Sequence, residues 1–326
     1  MTLETDAMSE SLAPDAAAPA ALSATRPFYW SVRRELWENR SVYIAPLAVA
    51  GVALLGFLFG MFRLPHAMRA LSAAQDAARA AGPADVAAAK AAAKAIHGLA
   101  MPYDFSAGVI ILTGLIVAVF YCLGALHGER RDRSILFWKS LPVSDLTTVL
   151  SKATVPLVIQ PIVVFPIVLA VHLVMLLLST LILLSGGLDP AALWTNLPLI
   201  QMWLTMPYGL VVLALWYVPI AGWLLLVSAW ARRVPMLWAL APPLGLCLFE
   251  FLAFHTRHLW SLLIWRLTGG FDEAFTVGGL GKVPVSRLDQ LDPLRFLANP
   301  GLWSGLVFGA ACLAACVWLR RRREPI

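Results

Sequence analysis

The sequence predicts an all-α membrane protein with six transmembrane helices, and three observations carry that prediction. Of 326 residues, 60% are hydrophobic and only 13% are charged, more apolar surface than a soluble chain of this length can hide. Six apolar stretches are long enough to cross about 30 Å of hydrocarbon, which takes roughly 20 residues in a helix. Tryptophans such as Trp30, Trp37, Trp194, Trp203, Trp230, Trp260, Trp303 and Trp318 fall near the ends of these stretches, at the depth where headgroups favour such rings.

Residues 1–26 are rich in Ala, Pro and Ser and carry Glu4, Asp6, Glu10 and Asp15. With no basic region leading into an apolar core, they read as a disordered tail rather than a signal peptide. The remainder, 27–326, reads as one membrane domain. Residues 27–40 form an amphipathic helix with Phe28, Val32 and Leu36 on one stripe, Trp37 beside it, and Arg33, Arg34 and Glu38 away from it; such a helix rests in the interface plane. Span 1 covers 42–62. The Ala-rich region 63–104 is expected as an external loop, a helical hairpin broken near Gly82-Pro83. Span 2 covers 105–126. Residues 153–184 are nearly uncharged and too long for one crossing; Pro156, Pro161 and Pro166 bend the early part, leaving span 3 at 160–184. Span 4 lies at 203–230 with kinks expected at Pro207 and Pro219, span 5 at 234–254 and span 6 at 301–319. In the second external loop, 255–300, the piece Leu259–Arg266 is amphipathic enough to dip back into the membrane.

Lys and Arg placement sets the orientation. With the N-terminus inside, 15 of the 25 Lys and Arg residues lie on the inner segments, which are also the shorter ones. Both termini are then cytoplasmic, as six spans require. The net charge of +6 follows mostly from this bias and is no footprint for nucleic acid. Cys122, Cys247, Cys312 and Cys316 all fall within apolar runs and read as small packing residues.

Between spans 2 and 3 the chain reads Glu129-Arg130-Arg131-Asp132-Arg133-Ser134-Ile135-Leu136-Phe137-Trp138-Lys139-Ser140-Leu141-Pro142-Val143-Ser144. It is charged first, then apolar and aromatic, then stopped by proline. Taken alone, this is either a topology-setting loop whose aromatics touch lipid headgroups or a short helix presented to a soluble partner. The order of residues resembles the E-R-x-x-G-T/S-x-x-x-L-x-S-L-P-V-S pattern of type-2 ABC exporter permeases. Arg133 stands where many members of that family carry Gly. The likeness is about 16 residues long by motif and extends in architecture to most of the chain.

That resemblance implies an N-terminal elbow helix at 27–40, a cytoplasmic coupling helix between spans 2 and 3, and a re-entrant segment between spans 5 and 6. It implies that Arg131, Asp132, Arg133, Ile135, Phe137, Trp138 and Lys139 contact a separate ATP-binding subunit. That subunit would carry ATP and Mg and all catalysis, and a second permease copy or paralogue would complete the pathway. This chain would hold no cofactor of its own. The Ala- and Arg-rich composition fits a high-GC bacterium, and so an inner-membrane location. The alternatives are a membrane-embedded enzyme or anchor subunit without transport activity, and a scaffold that recruits a cytoplasmic protein through the same loop.

Other candidates are few. No Walker A is present: Gly278-Gly-Leu-Gly-Lys282-Val lacks the Ser or Thr after lysine, and Thr276 occupies the first glycine position. Glu250 in span 5 is either a cavity contact or a residue near the outer end reaching water or Arg257. His172 in span 3 is either a gating contact or a hydrogen-bonded packing residue. His255 and His258 lack a third ligand, so no metal site is expected. Gly56 and Gly60 in span 1, and Gly301, Gly305 and Gly309 in span 6, recur at four-residue spacing. Such spacing lets helix backbones approach, and for both sets packing within the chain is expected ahead of the alternative, a subunit interface.

Overall fold

A computed structural model describes residues 25–82, 85–132, 143–276 and 288–322. Among them the chain is almost wholly helical and has no sheet, only an isolated antiparallel bridge between Phe275 and Leu291. The tail up to residue 24 lies outside the described residues, as does the Gly278–Lys282 string.

Helix α1 (Thr25–Glu38) is followed by α2 (Ser41–Gly60) and, through a 3-10 turn at Met61–Arg63, by α3 (Leu64–Ala81). Gly82 ends α3 with φ at +80°, a backbone that costs glycine little. Asp85 then caps α4 (Val86–Arg131), accepting from the N–H groups of Ala87 and Ala88 at 2.9 and 3.1 Å. At 1.5 Å per residue the 46 residues of α4 extend roughly 69 Å. Region 63–104 is therefore less a loop than a hairpin continuous with the first two spans.

Ser144 caps α5 (Asp145–Thr154) by accepting from the Thr147 N–H at 3.1 Å. A single π-helical turn at Val155–Ile159, containing Pro156, joins it to α6 (Gln160–Ser185). After the short α7 (Ala191–Asn196) come α8 (Leu199–Trp216) and α9 (Val218–Trp230). The span expected as one kinked helix at 203–230 is thus divided. The chain runs helically through Pro207 and breaks at Tyr217, because Pro219 fits the first turn of a new helix, where its missing N–H leaves no bond unmade. Helix α10 (Pro235–Phe254) leads to α11 (His258–Thr268), α12 (Gly270–Ala274), α13 (Pro293–Ala298) and α14 (Pro300–Arg322). Among the described residues six helical segments are long and apolar enough to cross a membrane. The protein is a multi-pass helical membrane protein.

Helix α9 sits centrally, against both α4 and α14. The approach to α14 is close because glycine faces glycine: a Cβ on Gly222 would lie 3.0 Å from the Gly309 carbonyl oxygen. Among the described residues three apolar cores fill the bundle. One, around Tyr103, Ile110, Val168 and Met175, holds the hairpin to α6. A second, around Val42, Cys122, Leu225 and Cys316, lies where α1, α5 and the ends of α4 and α14 converge. The third packs Trp216 with Phe275, Phe296 and Leu302 at the opposite end of α14. All four cysteines are free thiols.

Helices α2 and α10 bury little of their surface. Gly305 and Gly309 of α14 pack closely on Arg266 and Val218, but a Cβ on Gly51, Gly56 or Gly60 would meet nothing within 4 Å. The glycine pair of span 1 therefore does not serve packing within the chain, contrary to expectation; α2 lies at the rim of the bundle, and its glycines face outward.

Candidate functional site

Of the seven residues read as partner contacts, Arg133, Ile135, Phe137, Trp138 and Lys139 lie outside the described residues. Arg131 and Asp132 end α4, both well exposed, and pair with each other at 3.1 Å between Nε and Oδ1. The preceding Arg130 turns the other way: its Nη1 donates to the Ala229 and Ala231 carbonyls at 2.7 and 3.4 Å. Ser228 Oγ accepts from the Leu126 and His127 N–H groups at 3.0 and 2.9 Å. These bonds clamp the last turns of α4 to the end of α9.

A buried charge cluster braces both flanks of segment 133–142. Glu35 of α1 is 1% exposed and Lys152 of α5 is 2% exposed. Lys152 Nζ donates to Glu35 Oε1 at 2.8 Å and lies 3.1 Å from Glu129 Oε1. The Tyr121 hydroxyl donates to Glu35 Oε2 at 2.8 Å, and Arg34 Nη2 donates to Glu35 Oε1 at 2.8 Å. Arg320, near the end of α14, donates through Nη1 to Glu129 Oε2 at 2.6 Å and through Nε to Asp145 Oδ1 at 2.8 Å. Three cations, Arg34, Lys152 and Arg320, thereby face the carboxylates of Glu35, Glu129 and Asp145, and at the exposed rim Arg34 Nε also lies 3.5 Å from Glu38 Oε1. Charges taken this far from water are tolerated only when paired and hydrogen-bonded. Burial opposes ionisation of Glu35, but the Lys152 charge and the hydrogen bonds from Lys152, Arg34 and Tyr121 outweigh it and hold the carboxyl below its ordinary value.

The elements explain the convergence. Glu129 precedes the segment by one helical turn, and Asp145 starts the helix that follows it. Glu35 shares the inward side of α1 with Val32, which is also buried. Glu129 opens the motif, and Lys152 and Arg320 are among the 15 inner basic residues, but nothing in the residue order points to Glu35 or Asp145 as their partners. One signal was available: Lys152 borders a long uncharged run, where a cation must reach either water or an anion.

Glu250 and His172 are held elsewhere. Glu250 Oε1 accepts from the Thr256 hydroxyl at 2.7 Å and from the His258 N–H at 2.8 Å, while Oε2 accepts from the Leu259 N–H at 2.8 Å. The carboxylate thus caps the start of α11 and ties α10 to it across a reversal in which His255 takes φ of +53°. His172 is fully buried: Nε2 lies 3.0 Å from the Tyr103 carbonyl, and Nδ1 accepts from Trp203 Nε1 at 3.1 Å. Its ring joins α6 to α4 and α8. Among the described residues no cluster of His, Cys, Asp or Glu could hold a metal ion.

At the far end of α14, Arg266 of α11 stacks over Trp216 at 4.4 Å and donates to the Gly301 carbonyl at 3.0 Å. Comparison with protein-family models, curated proteins and solved structures gave no match, so the functional reading rests on this chain's own residues and geometry.

Proposed function

We propose that this chain is the permease subunit of a type-2 ABC exporter in a bacterial inner membrane, driven by ATP and Mg bound on a separate ATP-binding subunit. The observation that supports it most is the brace around segment 133–142. A segment that receives force from a motor must be fixed rigidly at its base, or the force is lost in local bending. Here Glu129 before the segment and Asp145 and Lys152 after it are joined to α1 and α14 by buried and half-buried charge pairs. Displacing the segment then moves α1, α4, α5 and α14 together. The exposed Arg131–Asp132 pair lies at its entrance, and Phe137 and Trp138, proposed as docking contacts, follow in the sequence.

A second permease copy or paralogue completes the pathway, and the outward glycines of α2 with the sparsely packed α10 offer it a surface. A membrane-enzyme reading would draw its chemistry from Glu250 and His172, and both commit their polar atoms to holding helices together.

The test is purification from the native host with ATPase and vesicle-transport assays. An ABC ATPase should accompany the chain, and Phe137→Ala with Trp138→Ala should abolish ATP-driven transport or release the ATPase while the permease still folds. Full coupling in that double variant would overturn the docking assignment; absence of any ATPase companion would overturn the function.

A further inference from the structure

Helix α1 turns its apolar stripe toward the bundle rather than toward lipid. Val32 is buried, Leu36 packs against the second core, and Glu35 between them enters the charge cluster. The other side of the helix faces outward and carries Tyr29, Trp30 and Trp37, each more than half exposed. Residues 30, 33 and 37 follow helical spacing, so Arg33 stands between two indoles on that side. Its guanidinium carbon lies 5.0 Å from the centre of the Trp30 ring and 4.7 Å from that of Trp37. Tyr29 braces the first ring edge-on at 5.5 Å.

Among the described residues Arg33 makes no hydrogen bond or ion pair, whereas its neighbour Arg34 serves Glu35, Glu38 and Glu129. Arg33 is half-buried, yet none of its guanidinium nitrogens is shut away from the surface. Its N–H groups can therefore be reached from outside. Cation–π attraction fixes where the guanidinium sits but supplies its donors with no acceptor oxygen. A planar fork of this kind is matched by a carboxylate or a phosphate. The acid nearest the outer side of α1, Glu38, is drawn to Arg34 instead.

The depth of α1 decides which anion it meets. The Tyr121 bond to Glu35 fixes α1 beside α4 at a point ten residues before that helix ends at Arg131, about 15 Å along its axis. Tyr121 falls within span 2, and the apolar α2 begins three residues after α1 ends. The outward face of α1 thus lies where headgroups meet hydrocarbon, the level that favours exposed indoles. The exposed Ile44 and Leu47 of α2 follow directly in the chain. At that level the abundant anion is the phosphate of a phospholipid. A lipid of net negative charge suits an unpaired cation better than a zwitterionic one, which brings its own ammonium to the site. We propose that Arg33, held between Trp30 and Trp37, binds the phosphate of an anionic phospholipid.

The site stands whether or not an ATPase docks on the chain. It is tested with the full-length protein in phosphatidylcholine nanodiscs carrying a trace of photoactivatable phosphatidylglycerol or, in parallel, of photoactivatable phosphatidylcholine with the same acyl chains and reactive group. Labelling within 27–40 is read by mass spectrometry of chymotryptic peptides. The anionic probe should label this helix about fivefold more than the zwitterionic one, the factor one basic residue confers at an anionic headgroup. Arg33→Gln should remove the excess, and Arg232→Gln, which takes an exposed cation from the turn after α9, should keep it. Inorganic phosphate, set against chloride at equal ionic strength, should not compete; competition would assign the site to free phosphate and overturn the lipid reading. Equal labelling by the two probes, an excess that survives Arg33→Gln, or no labelling by either, as when a second copy covers the face, overturns the proposal. The two-probe comparison uses the native protein and can overturn the proposal even if a variant fails to fold.

Discussion

Lys152 has carboxylate oxygens from two helices within 3.1 Å and almost no water. Removing its ammonium leaves Arg34 alone between the Glu35 and Glu129 carboxylates, in a place water hardly reaches. Breaking a buried pair from one side costs about 3–5 kcal/mol, whereas replacing both members by apolar groups is often near neutral. Lys152→Met should therefore lower the thermal stability of the detergent-solubilised protein sharply, and Lys152→Met with Glu35→Gln should recover much of the loss. A double variant no better than the single one would mean that the pair is not coupled. The same carboxylate sets a pH dependence. Its value in the folded state lies below its ordinary 4.5, so the unfolded chain binds the proton more readily. The stabilisation is then fully present above the ordinary carboxylate range and is lost as pH falls through the folded value. Glu38, at the rim of the cluster, is shifted the other way, chiefly by desolvation, and so opposes this trend. Melting temperature followed downward from neutral pH should hold until about pH 4–5 and then drop, and Glu35→Gln should flatten the drop.

At the scale of elements, joints matter more than helices. The π turn between α5 and α6, the break at Tyr217 and the reversal at His255 all lie beside prolines or caps. Glu250 governs the last of these, since its two oxygens satisfy the first N–H groups of α11. Glu250→Ala should leave the six spans assembled but loosen residues 255–268, seen as faster protease cutting there; unchanged cutting would show that the cap does not hold α11. The α9–α14 contact is the opposite case, a joint with no slack. Gly222→Val places a methyl group against the backbone of Gly309. Overpacking of this kind typically costs about 1–3 kcal/mol, and more where the obstacle is backbone that cannot rotate away. A melting temperature equal to that of the native protein would show that the two helices can separate freely.

For the whole molecule, the distribution of packing is uneven. The bundle is tight around α9 and sparse along α2 and α10. If a second copy sits against α2, a cysteine at position 56 in a background lacking the four native cysteines should cross-link into a dimer in membranes, and one at position 222, buried against α14, should not. Failure to cross-link at 56 would assign the surface to lipid.

Six apolar stretches, their proline-marked bends and the crowding of basic residues on alternate segments are legible in the residue order. The reason is that crossing a bilayer is a local demand, met by some 20 consecutive residues regardless of what surrounds them. Which charges meet is another matter. Glu35 and Lys152 are 117 positions apart, and neither belongs to a local pattern that names the other. The same holds for the cap that Glu250 provides and for the outward turn of Gly56, Gly60 and Arg33. Each depends on the direction a side chain takes once helices from distant parts of the chain have packed, and that direction is a property of the assembled bundle.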